Sequence, residues 1–512
     1  RVEGMHFENG NTATTGGGLY VETSEANITV DDCYFDRCRA GEMGGGVNAV
    51  SDGGVVTIRG CAFTSCVGVQ NAGGLNAGVG TGNIHLSWSV FESDSVYELI
   101  DPESHVGGDG GGCLLYSEGG VIYMNYNFFT ACYSPDDGAG GFAYLLGSEV
   151  FLLAAYNTCN DNYAVLGGAG LFLRINDSGA MDISGNWFYE NQTEIGEGAG
   201  VFAYLNDGSM TFSDNVMVDN LAAADGGGAW LWTGTGDITV TGNEAHDNTA
   251  DMNGGGMSLV CDEGSLECNH NIVWANSAGG VGGGMNAATT SGDLYFLNNT
   301  SYANSADDGN GIYLYFDGAS ATCDFQNNIL ASESPAAIAW SGAGSFAAEF
   351  SLIEGGSGED WFGTGCIDDD PIFVNPGSGD FNLSWESFPT VDATMSPAID
   401  AGNPSHPNDS DGTRIDMGAL FFDQGTGSTV EAEYIPETTG ITAYPNPFNA
   451  TCRIAAPQNV TITIYNTHGK QVHTLPPGTT TWTPADDVAS GVYLMRARKG
   501  DEVVEKRVVL VR

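Results

Sequence analysis

Basic residues are scarce in this sequence, which holds 14 lysines and arginines against 65 acidic residues. Up to residue 430 there are 6 arginines, no lysine and 57 acidic residues, and 6 − 57 = −51, so this part carries the whole formal charge of −51. A surface of this charge repels nucleic acid and anionic membranes, which excludes nucleic acid as a partner. Such a surface suits multivalent cations or a salt concentration that screens its self-repulsion.

Long apolar runs are absent as well. No stretch of about 18 apolar residues occurs, so the sequence predicts no membrane span. The opening residues, RVEGMHFENG, lack the basic and then apolar pattern of a secretory leader, which indicates a removed leader or another export route. Glycine is abundant, with 76 residues, but it lacks the three-residue spacing of collagen.

The glycines instead mark a repeat. A glycine-rich triplet recurs about every 28 residues, and a regular period in this range is typical of stacked repeats. Apolar residues stand one and three positions after the last glycine of each triplet, and a second alternating pair follows later in the repeat. This period of two indicates strands rather than helices. The last glycines of the triplets are Gly18, Gly46, Gly74, Gly112, Gly141, Gly170, Gly200, Gly228, Gly256, Gly284 and Gly311.

A third short apolar segment completes each repeat. Three strands per repeat predict an all-β fold, a parallel β-helix of about 11–12 coils in which each strand pairs with its counterpart one coil away. In the fifth repeat this pattern points Phe142 and Tyr144 into the interior. It places Ala143, Leu145 and Leu152 on the outside.

Asparagines recur at two corners of the predicted coils, where a buried Asn can bond its own backbone and the Asn stacked on it. We expect structural ladders rather than a catalytic set, because these residues repeat on most coils. The first corner holds Asn127, Asn157, Asn186, Asn215, Asn243, Asn271, Asn299 and Asn327, and the second holds Cys132, Asn162, Asn191, Asn220, Asn248, Asn276 and Asn304.

Cysteines take these corner positions in the first coils, as Cys33 and Cys38 and then as Cys61 and Cys66. Stacked cysteines are close enough for a disulfide. The candidate pairs are Cys33–Cys61 and Cys38–Cys66 between coils and Cys33–Cys38 within one coil, and four buried free thiols are the alternative. Metal binding is disfavoured because these positions belong to structural ladders.

The repeat, with its glycine-rich corner and asparagine ladders, resembles the right-handed parallel β-helix proteins of the pectate-lyase-like superfamily. After the last regular coil, DDDPIFVNPGSGDFNLSW and MSPAIDAGNPSHPNDSDGTRIDMGAL are similar to the terminal segment of many secreted bacterial β-helix proteins. We therefore expect β-helix repeats over residues 1–345, the terminal coils and cap over residues 346–424, and a polar linker over residues 425–439.

Residues 440–512 resemble a different family. The stretches ITAYPNPFNATCRI, VTITIYNTHGKQVHTL and ASGVYLMRARKGDEVVEKRVVLVR are similar to the type A sorting domain of the type IX secretion system. Their alternating strands and Gly/Pro turns favour a small Ig-like β-sandwich, and a plain Ig-like module is the alternative. The resemblance implies the type IX secretion machinery as a partner and an extracellular or cell-surface location in a Gram-negative bacterium.

Candidate catalytic residues are few. Polyuronate lyases of this fold use arginine or lysine, and the predicted β-helix holds no lysine, which disfavours such an enzyme. A glycosidase needs paired carboxylates. The one long interval between triplets contains SDSVYELIDPESHVGGD, with Asp101, Glu103, His105 and Asp109, and a surface loop is the alternative interpretation of this insertion.

Calcium is the one cofactor that the sequence suggests. Asp409, Asp411 and Asp416 in NDSDGTRIDMG are candidate oxygen ligands for it. They lack the full spacing of a known calcium loop, so a capping turn is the alternative.

The strands that follow the glycines carry an apolar strip on their predicted outer face. A strip of about 20–24 Å is rarely left bare on a soluble monomer. Three partners are candidates for covering this strip: another subunit, polysaccharide rings stacked on the aromatic side chains, or another part of the same chain. The predicted strip consists of Leu114, Tyr116, Ala143, Leu145, Phe172, Arg174, Phe202, Tyr204, Trp230 and Trp232, and the aromatic pair Tyr313 and Tyr315 lies further along.

The sequence favours an extracellular, non-catalytic structural or adhesive protein that assembles with copies of itself into a surface layer or filament. The chain begins inside a coil with no cap before it, and an open strand edge also favours assembly. The alternative is a surface protein that uses the aromatic strip to bind or cleave carbohydrate.

Overall fold

The computed structural model describes residues 1–97, 108–332 and 337–425, and, in the C-terminal part, residues 442–444, 452–455, 461–466, 471–476, 481–485, 488, 491–499 and 502–510. The chain divides into two compact units, Arg1–Gly427 and Ser428–Arg512. Among the described residues, no helix is long and apolar enough to cross a membrane.

The first unit is a parallel β-helix, which confirms the predicted fold class. Each coil stacks in register on the next, as Leu171 and Leu173 do on Val201 and Ala203. The strands that follow the glycine corners are Leu19–Thr23, Val47–Ser51, Leu75–Val79, Cys113–Ser117, Gly141–Leu145, Leu171–Ser184, Val201–Ser213, Ala229–Thr241, Met257–Glu263, Met285–Thr289, Ile312–Phe316 and Ile338–Gly342.

The second strand of each coil belongs to the same 22-stranded sheet, and three of the long strands above run through both positions. The separate second strands are Val2–Glu3, Ile28–Asp31, Val56–Arg59, Ile84–Ser87, Val121–Asn125, Val150–Ala155, Ser265–Asn269, Asp293–Leu297, Thr322–Gln326 and Ser345–Glu349.

The third strands form a 13-stranded sheet, and a fourth set of two-residue strands, which the sequence did not predict, forms a 10-stranded sheet. The third strands are His6–Glu8, Tyr34–Asp36, Ala62–Thr64, Val90–Glu92, Phe128–Thr130, Thr158–Asn160, Trp187–Tyr189, Val216–Val218, Glu244–His246, Ile272–Trp274, Thr300–Tyr302, Ile329–Ala331 and Leu352–Ile353. The fourth strands are Asn11–Thr12, Arg39–Ala40, Val67–Gly68, Ser95–Val96, Tyr133–Ser134, Tyr163–Ala164, Gln192–Thr193, Leu221–Ala222, Thr249–Ala250 and Ser277–Ala278.

Inward side chains of successive coils stack into columns that form one continuous core. Phe35, Phe63, Phe91 and Phe129 are fully buried, with ring centroids 4.7–5.0 Å apart. Burying one such side chain contributes about 1.5–3 kcal/mol relative to leaving it exposed. The repeat therefore stabilises the fold coil by coil.

The fifth coil differs from the sequence prediction by one residue. Gly141 pairs with Cys113, so the corner glycine is Gly140, and Phe142 and Tyr144 point outward. The prediction that these two side chains face the interior is wrong. A slip of one residue exchanges the two faces of a strand, because successive side chains alternate.

The same slip moves the residues predicted to face outward. Ala143, Leu145 and Leu152 are buried in the core. Gly141 stands at an inward position that other coils fill with a larger apolar residue, and Leu171 from the next coil reaches to within 3.1 Å of where its Cβ would be. The extra glycine made the triplet look as if it ended one residue later.

The first asparagine corner is a continuous hydrogen-bonded ladder. Each Asn donates from its backbone N–H and its Nδ2 to the Oδ1 of the Asn in the next coil, at 2.9–3.0 Å between Asn186 and Asn215 and between Asn215 and Asn243. The last asparagine of the ladder is Asn328, which binds Asn299, and not Asn327 as predicted. Its members are Cys33, Cys61, Ser89, Asn127, Asn157, Asn186, Asn215, Asn243, Asn271, Asn299, Asn328 and Ser351.

A second ladder runs along the other corner. It differs from the prediction at one coil, where the buried Asp94 accepts a hydrogen bond from the backbone N–H of Cys66 at 2.7 Å. Its members are Cys38, Cys66, Asp94, Cys132, Asn162, Asn191, Asn220, Asn248, Asn276 and Asn304.

A cap packs against the last coils with its own apolar cluster, which includes Leu383, Trp385 and Met417. Asn298 ties it to the β-helix by donating to the carbonyl of Asp416 at 3.1 Å. The cap contains strands Phe373–Asn375 and Asp380–Leu383 and the short 3-10 helix Pro376–Ser378.

The second unit contains a three-stranded and a four-stranded antiparallel sheet around a separate core that includes Trp482 and Met495. This arrangement agrees with the predicted small β domain. Its strands are Thr442–Tyr444, Cys452–Ala455, Ile462–Asn466, Gln471–Leu475, Thr481–Trp482, Gly491–Lys499 and Glu502–Leu510.

Candidate functional site

The outward aromatic residues of the strands after the glycine corners form two stacked columns. The phenylalanine column contains Phe142, Phe172, Phe202 and Trp230, with centroids 4.4–4.8 Å apart and ring planes within 13° of parallel. The tyrosine column runs beside it and contains Tyr116, Tyr144, Arg174, Tyr204 and Trp232. Phe142 and Tyr144 replace Ala143 and Leu145 of the predicted strip.

Arg174 continues the tyrosine column as if it were a ring. Its guanidinium lies 6.0 Å from the ring centroid of Tyr144 and 5.0 Å from that of Tyr204. Asn176 holds it in place by accepting from Nε at 2.5 Å and by donating to the Tyr144 hydroxyl at 2.5 Å. Contact between the cation and the two ring faces stabilises this arrangement.

The stacking means that the columns largely cover themselves. Phe172, between two other rings, is only 5% exposed although it points outward. Inside the columns the ring faces contact one another and only the edges meet solvent. A sugar ring cannot stack flat on a ring face that is already covered. Because the rings cover one another, the strip exposes less apolar surface than the sequence predicted, and it has less need of a subunit to cover it.

One ring face at the end of the tyrosine column is free of this stacking. Tyr144 contacts Tyr116 on one side, with centroids 5.8 Å apart. On the other side the residue that pairs with Tyr116 is Gly78, which has no side chain. A Cβ added to Gly78 would meet only the methyl groups of Val50, at 3.8 and 3.9 Å, so there is room for a further ring in the column.

This vacancy opens into a groove of about 670 Å³. The floor changes there from the small residues Asn76 and Gly78 to the bulky Leu114 and Tyr116 one coil later. The groove is lined by Met43, Val50, Asn71, Asn76, Gly78, Asp109, Leu114, Tyr116, Asp137, Phe142, Tyr144, Phe172 and Arg174.

Polar groups stand along the groove walls. Asn76 donates to Asn48 at 2.9 Å, which fixes the orientation of its amide. Asn71 accepts from the backbone N–H of Gly108 and of Asp109, so it orders the backbone that carries the Asp109 carboxylate. The groove therefore combines one ring face with fixed amides and carboxylates.

Three carboxyl groups lie close together, with one oxygen of each of Asp109, Asp136 and Asp137 within 4.8 Å of the others, and Asp109 and Asp137 line the groove. Burial, and then repulsion from neighbouring carboxylates, raises the pKa of each to about 7. Asp137 accepts from the backbone N–H of Gly167 at 2.7 Å. Carboxyl groups this close are suited to accepting hydroxyl hydrogen bonds or to holding a cation.

The other predicted site residues lie apart from this groove. Tyr313 hydrogen-bonds to Ser341 at 2.7 Å, and Tyr315 is 40% exposed. Among the residues of the long insertion, Asp109 lies in the groove, whereas Asp101, Glu103 and His105 fall outside the described residues.

The predicted calcium ligands lie in the cap. Asp416 accepts from the backbone N–H groups of Asp400 and Phe422, and Asp411 accepts from that of Gln424 at 2.8 Å. Asp409 accepts from the N–H of Asp416 at 2.8 Å. These carboxylates order the turns of the cap, and calcium binding there stays a prediction.

Sequence reasoning missed Asn76, Gly78 and Asp137 in the groove. The available signal was a contrast between neighbouring coils, because outward residues change from Asn76 and Gly78 to Leu114 and Tyr116 at equivalent positions. A step from small to large side chains along a β-helix predicts a depression in its surface.

Two family models match the chain. One describes a right-handed β-helix region and covers residues 104–245, and the other describes a secretion system C-terminal sorting domain and covers residues 442–511. The chain therefore joins a right-handed β-helix to a secretion-system sorting domain, which confirms both predicted resemblances. The sorting domain indicates a secreted, cell-surface protein.

One solved structure is similar over a short stretch. It is PorZ, described as an essential bacterial surface component of the type IX secretion system of Porphyromonas gingivalis, and it is 27% identical over 18% of this chain and 13% of its own, with a TM-score of 0.14. A likeness this short carries no conclusion about function. No curated protein matches the chain.

Proposed function

We propose that this protein binds a neutral saccharide at the cell surface, in the groove beside Tyr116. The observation that carries the proposal is the free face of the Tyr116 ring above Gly78, where the neighbouring coil has no side chain, at the end of a column whose inner members stack on one another. A pyranose ring stacked there would extend the column by one member. The apolar face of such a ring suits an aromatic platform.

The polar walls and the charge favour a neutral sugar. Asn76, Asp109 and Asp137 can accept hydrogen bonds from sugar hydroxyl groups. The acidic surface of the β-helix and the carboxyl groups of the groove would repel a uronate or a sulfated sugar. A saccharide without acidic groups is therefore the ligand class that we expect.

Tyr116→Ala is expected to lower the affinity for the bound saccharide about tenfold or more, which corresponds to a loss of about 1.4 kcal/mol. The reason is the loss of the ring face that the sugar would contact. Retention on an array of neutral glycans and a titration of the best one would measure the effect. Tyr315→Ala, in an aromatic pair outside the groove, is the matched control and should bind as the wild type does.

Carbohydrate cleavage is a second candidate, favoured by the carboxyl groups of the groove with pKa values of about 7. One carboxyl group of such a set can be protonated while another is ionised, as glycoside hydrolysis requires. Release of reducing ends from the bound saccharide would indicate cleavage, and stable binding without release would indicate a binding protein.

Self-assembly into a layer or filament, with an adhesive role, stays a prediction. The exposed Tyr315, away from the self-covering columns, is a feature of the outer face that favours a contact with another copy. Sedimentation of the full chain at several concentrations tests it.

A further inference from the structure

Two pairs of cysteines occupy equivalent positions on the first and second coils. Cys33 and Cys61 directly precede the strands Tyr34–Asp36 and Ala62–Thr64, which pair in register. Cys38 and Cys66 directly precede Arg39–Ala40 and Val67–Gly68, which also pair in register. Members of each pair are therefore one coil apart, about 4.8 Å between backbones, which lies within the range that a disulfide spans.

The thiols of the second coil contact the backbone of the first coil. The Sγ of Cys61 donates to the carbonyl of Val30 at 3.6 Å, and the Sγ of Cys66 donates to the carbonyl of Phe35 at 3.5 Å. Both carbonyls belong to the coil that carries Cys33 and Cys38. All twelve cysteines are free thiols in this structure, and these four are buried.

The ladders leave one partner for each of these cysteines. The next positions are Ser89 in the first ladder and Asp94 in the second, so no third cysteine is adjacent to either pair, and Asp94 separates Cys66 from Cys132. Cys33 and Cys38 stand at opposite ends of a three-residue strand, about 10 Å or more apart, which exceeds the limit of about 7 Å for a disulfide.

We propose that secretion converts these pairs into two disulfides between successive coils, Cys33–Cys61 and Cys38–Cys66. The sorting domain directs the chain out of the reducing cytoplasm, and disulfides persist in oxidising compartments. The bonds form before the coils close over them, because a buried thiol is inaccessible to an oxidant.

Each bond needs an oxidant, which we take to be a disulfide of a thiol–disulfide oxidoreductase. One cysteine thiolate attacks that disulfide and forms a mixed disulfide, and the second cysteine thiolate then displaces the enzyme sulfur. Two electrons and two protons from each pair leave as the reduced dithiol of the oxidoreductase.

The test is thiol mapping of the full chain recovered from an oxidising periplasm. Alkylation in denaturant without reductant should label 8 thiols, because 12 − 4 = 8. Peptide mapping should find Cys33 linked to Cys61 and Cys38 linked to Cys66. Cys113 and Cys268, whose coil neighbours are not cysteines, should be labelled and serve as internal controls.

Cys61→Ser is the matched variant, because Ser89 already occupies the same ladder position one coil later. In this variant Cys33 should become labelled while the Cys38–Cys66 bond remains. Labelling of all twelve thiols in the wild-type chain, or a Cys33–Cys38 linkage, would overturn the proposal.

Discussion

Replacing Asn215 by alanine should lower the free energy of unfolding by about 3–5 kcal/mol, because several buried polar groups lose a partner at once. The Oδ1 of Asn215 accepts from the backbone N–H and the Nδ2 of Asn186, and its own Nδ2 donates to the carbonyl of Ile183 at 2.9 Å. None of these groups can reach water, since the ladder lies inside the coil corner. Denaturant unfolding of wild type and variant would measure the difference.

Asn206→Ala is the matched control for this substitution. Asn206 is an exposed residue of the strand Val201–Ser213, and the loss of its side chain should change the stability by no more than about 0.5 kcal/mol. Asn215→Ser should fall between the two, because Ser89 fills the same ladder position and still accepts a backbone hydrogen bond. Equal stability of the Asn215→Ala and Asn206→Ala variants would refute the structural role of the ladder.

Asp94→Asn is expected to stabilise the protein at neutral pH. The Asp94 side chain is fully buried, and its Oδ2 has no hydrogen-bond partner among the described residues. Burial raises the pKa of this carboxyl well above its ordinary value, so the folded protein holds a proton that the unfolded chain releases. An Asn there could accept from Cys66 as Asp94 does and donate to the carbonyl of Phe63, as Asn162 donates to Phe129.

The effect of this substitution has a definite pH dependence. Below about pH 4, Asp94 is protonated in both states, and the part of the gain that comes from titration is absent. Between that pH and the raised pKa of the folded state, the free energy of unfolding of the wild type falls by about 1.4 kcal/mol per pH unit, because the unfolded chain releases the proton that the folded protein holds. The Asn variant does not titrate and keeps this free energy. Unfolding midpoints of both proteins from pH 3 to pH 8 would show the difference widen. A difference that is constant over this range would contradict a buried neutral Asp94.

Much of the fold follows from periodicity, because each coil repeats the same constraints. A glycine corner, alternating apolar residues and stacked asparagines all recur at nearly constant spacing, so errors in one coil are visible against the others. The fifth coil escaped this check because Gly141 sits at an inward position and shifts the apparent end of the triplet by one residue. Side chains of neighbouring coils, such as Leu171, fill the volume that Gly141 leaves empty. The sequence of one strand does not show this packing.

The candidate site was less predictable because it depends on contacts between coils. The outward position of Trp230 and Trp232 follows from alternation, but alternation does not show that their rings stack on Phe202 and Tyr204. The groove depends on the missing side chain of Gly78. A glycine at this position becomes recognisable as a gap beside Tyr116 only when the register of the adjacent coils is known.

Saccharide binding by Gly78→Phe, compared with Gly78→Ala and wild type, tests the proposed groove most directly. The backbone of Gly78 lies outside the left-handed region and a Cβ fits, so both variants should fold. The phenyl ring would fill the vacancy on Tyr116 and should abolish binding to the neutral glycan that the wild type retains, whereas the alanine variant should still bind. Undiminished binding by a folded Gly78→Phe variant would contradict a saccharide site at Tyr116.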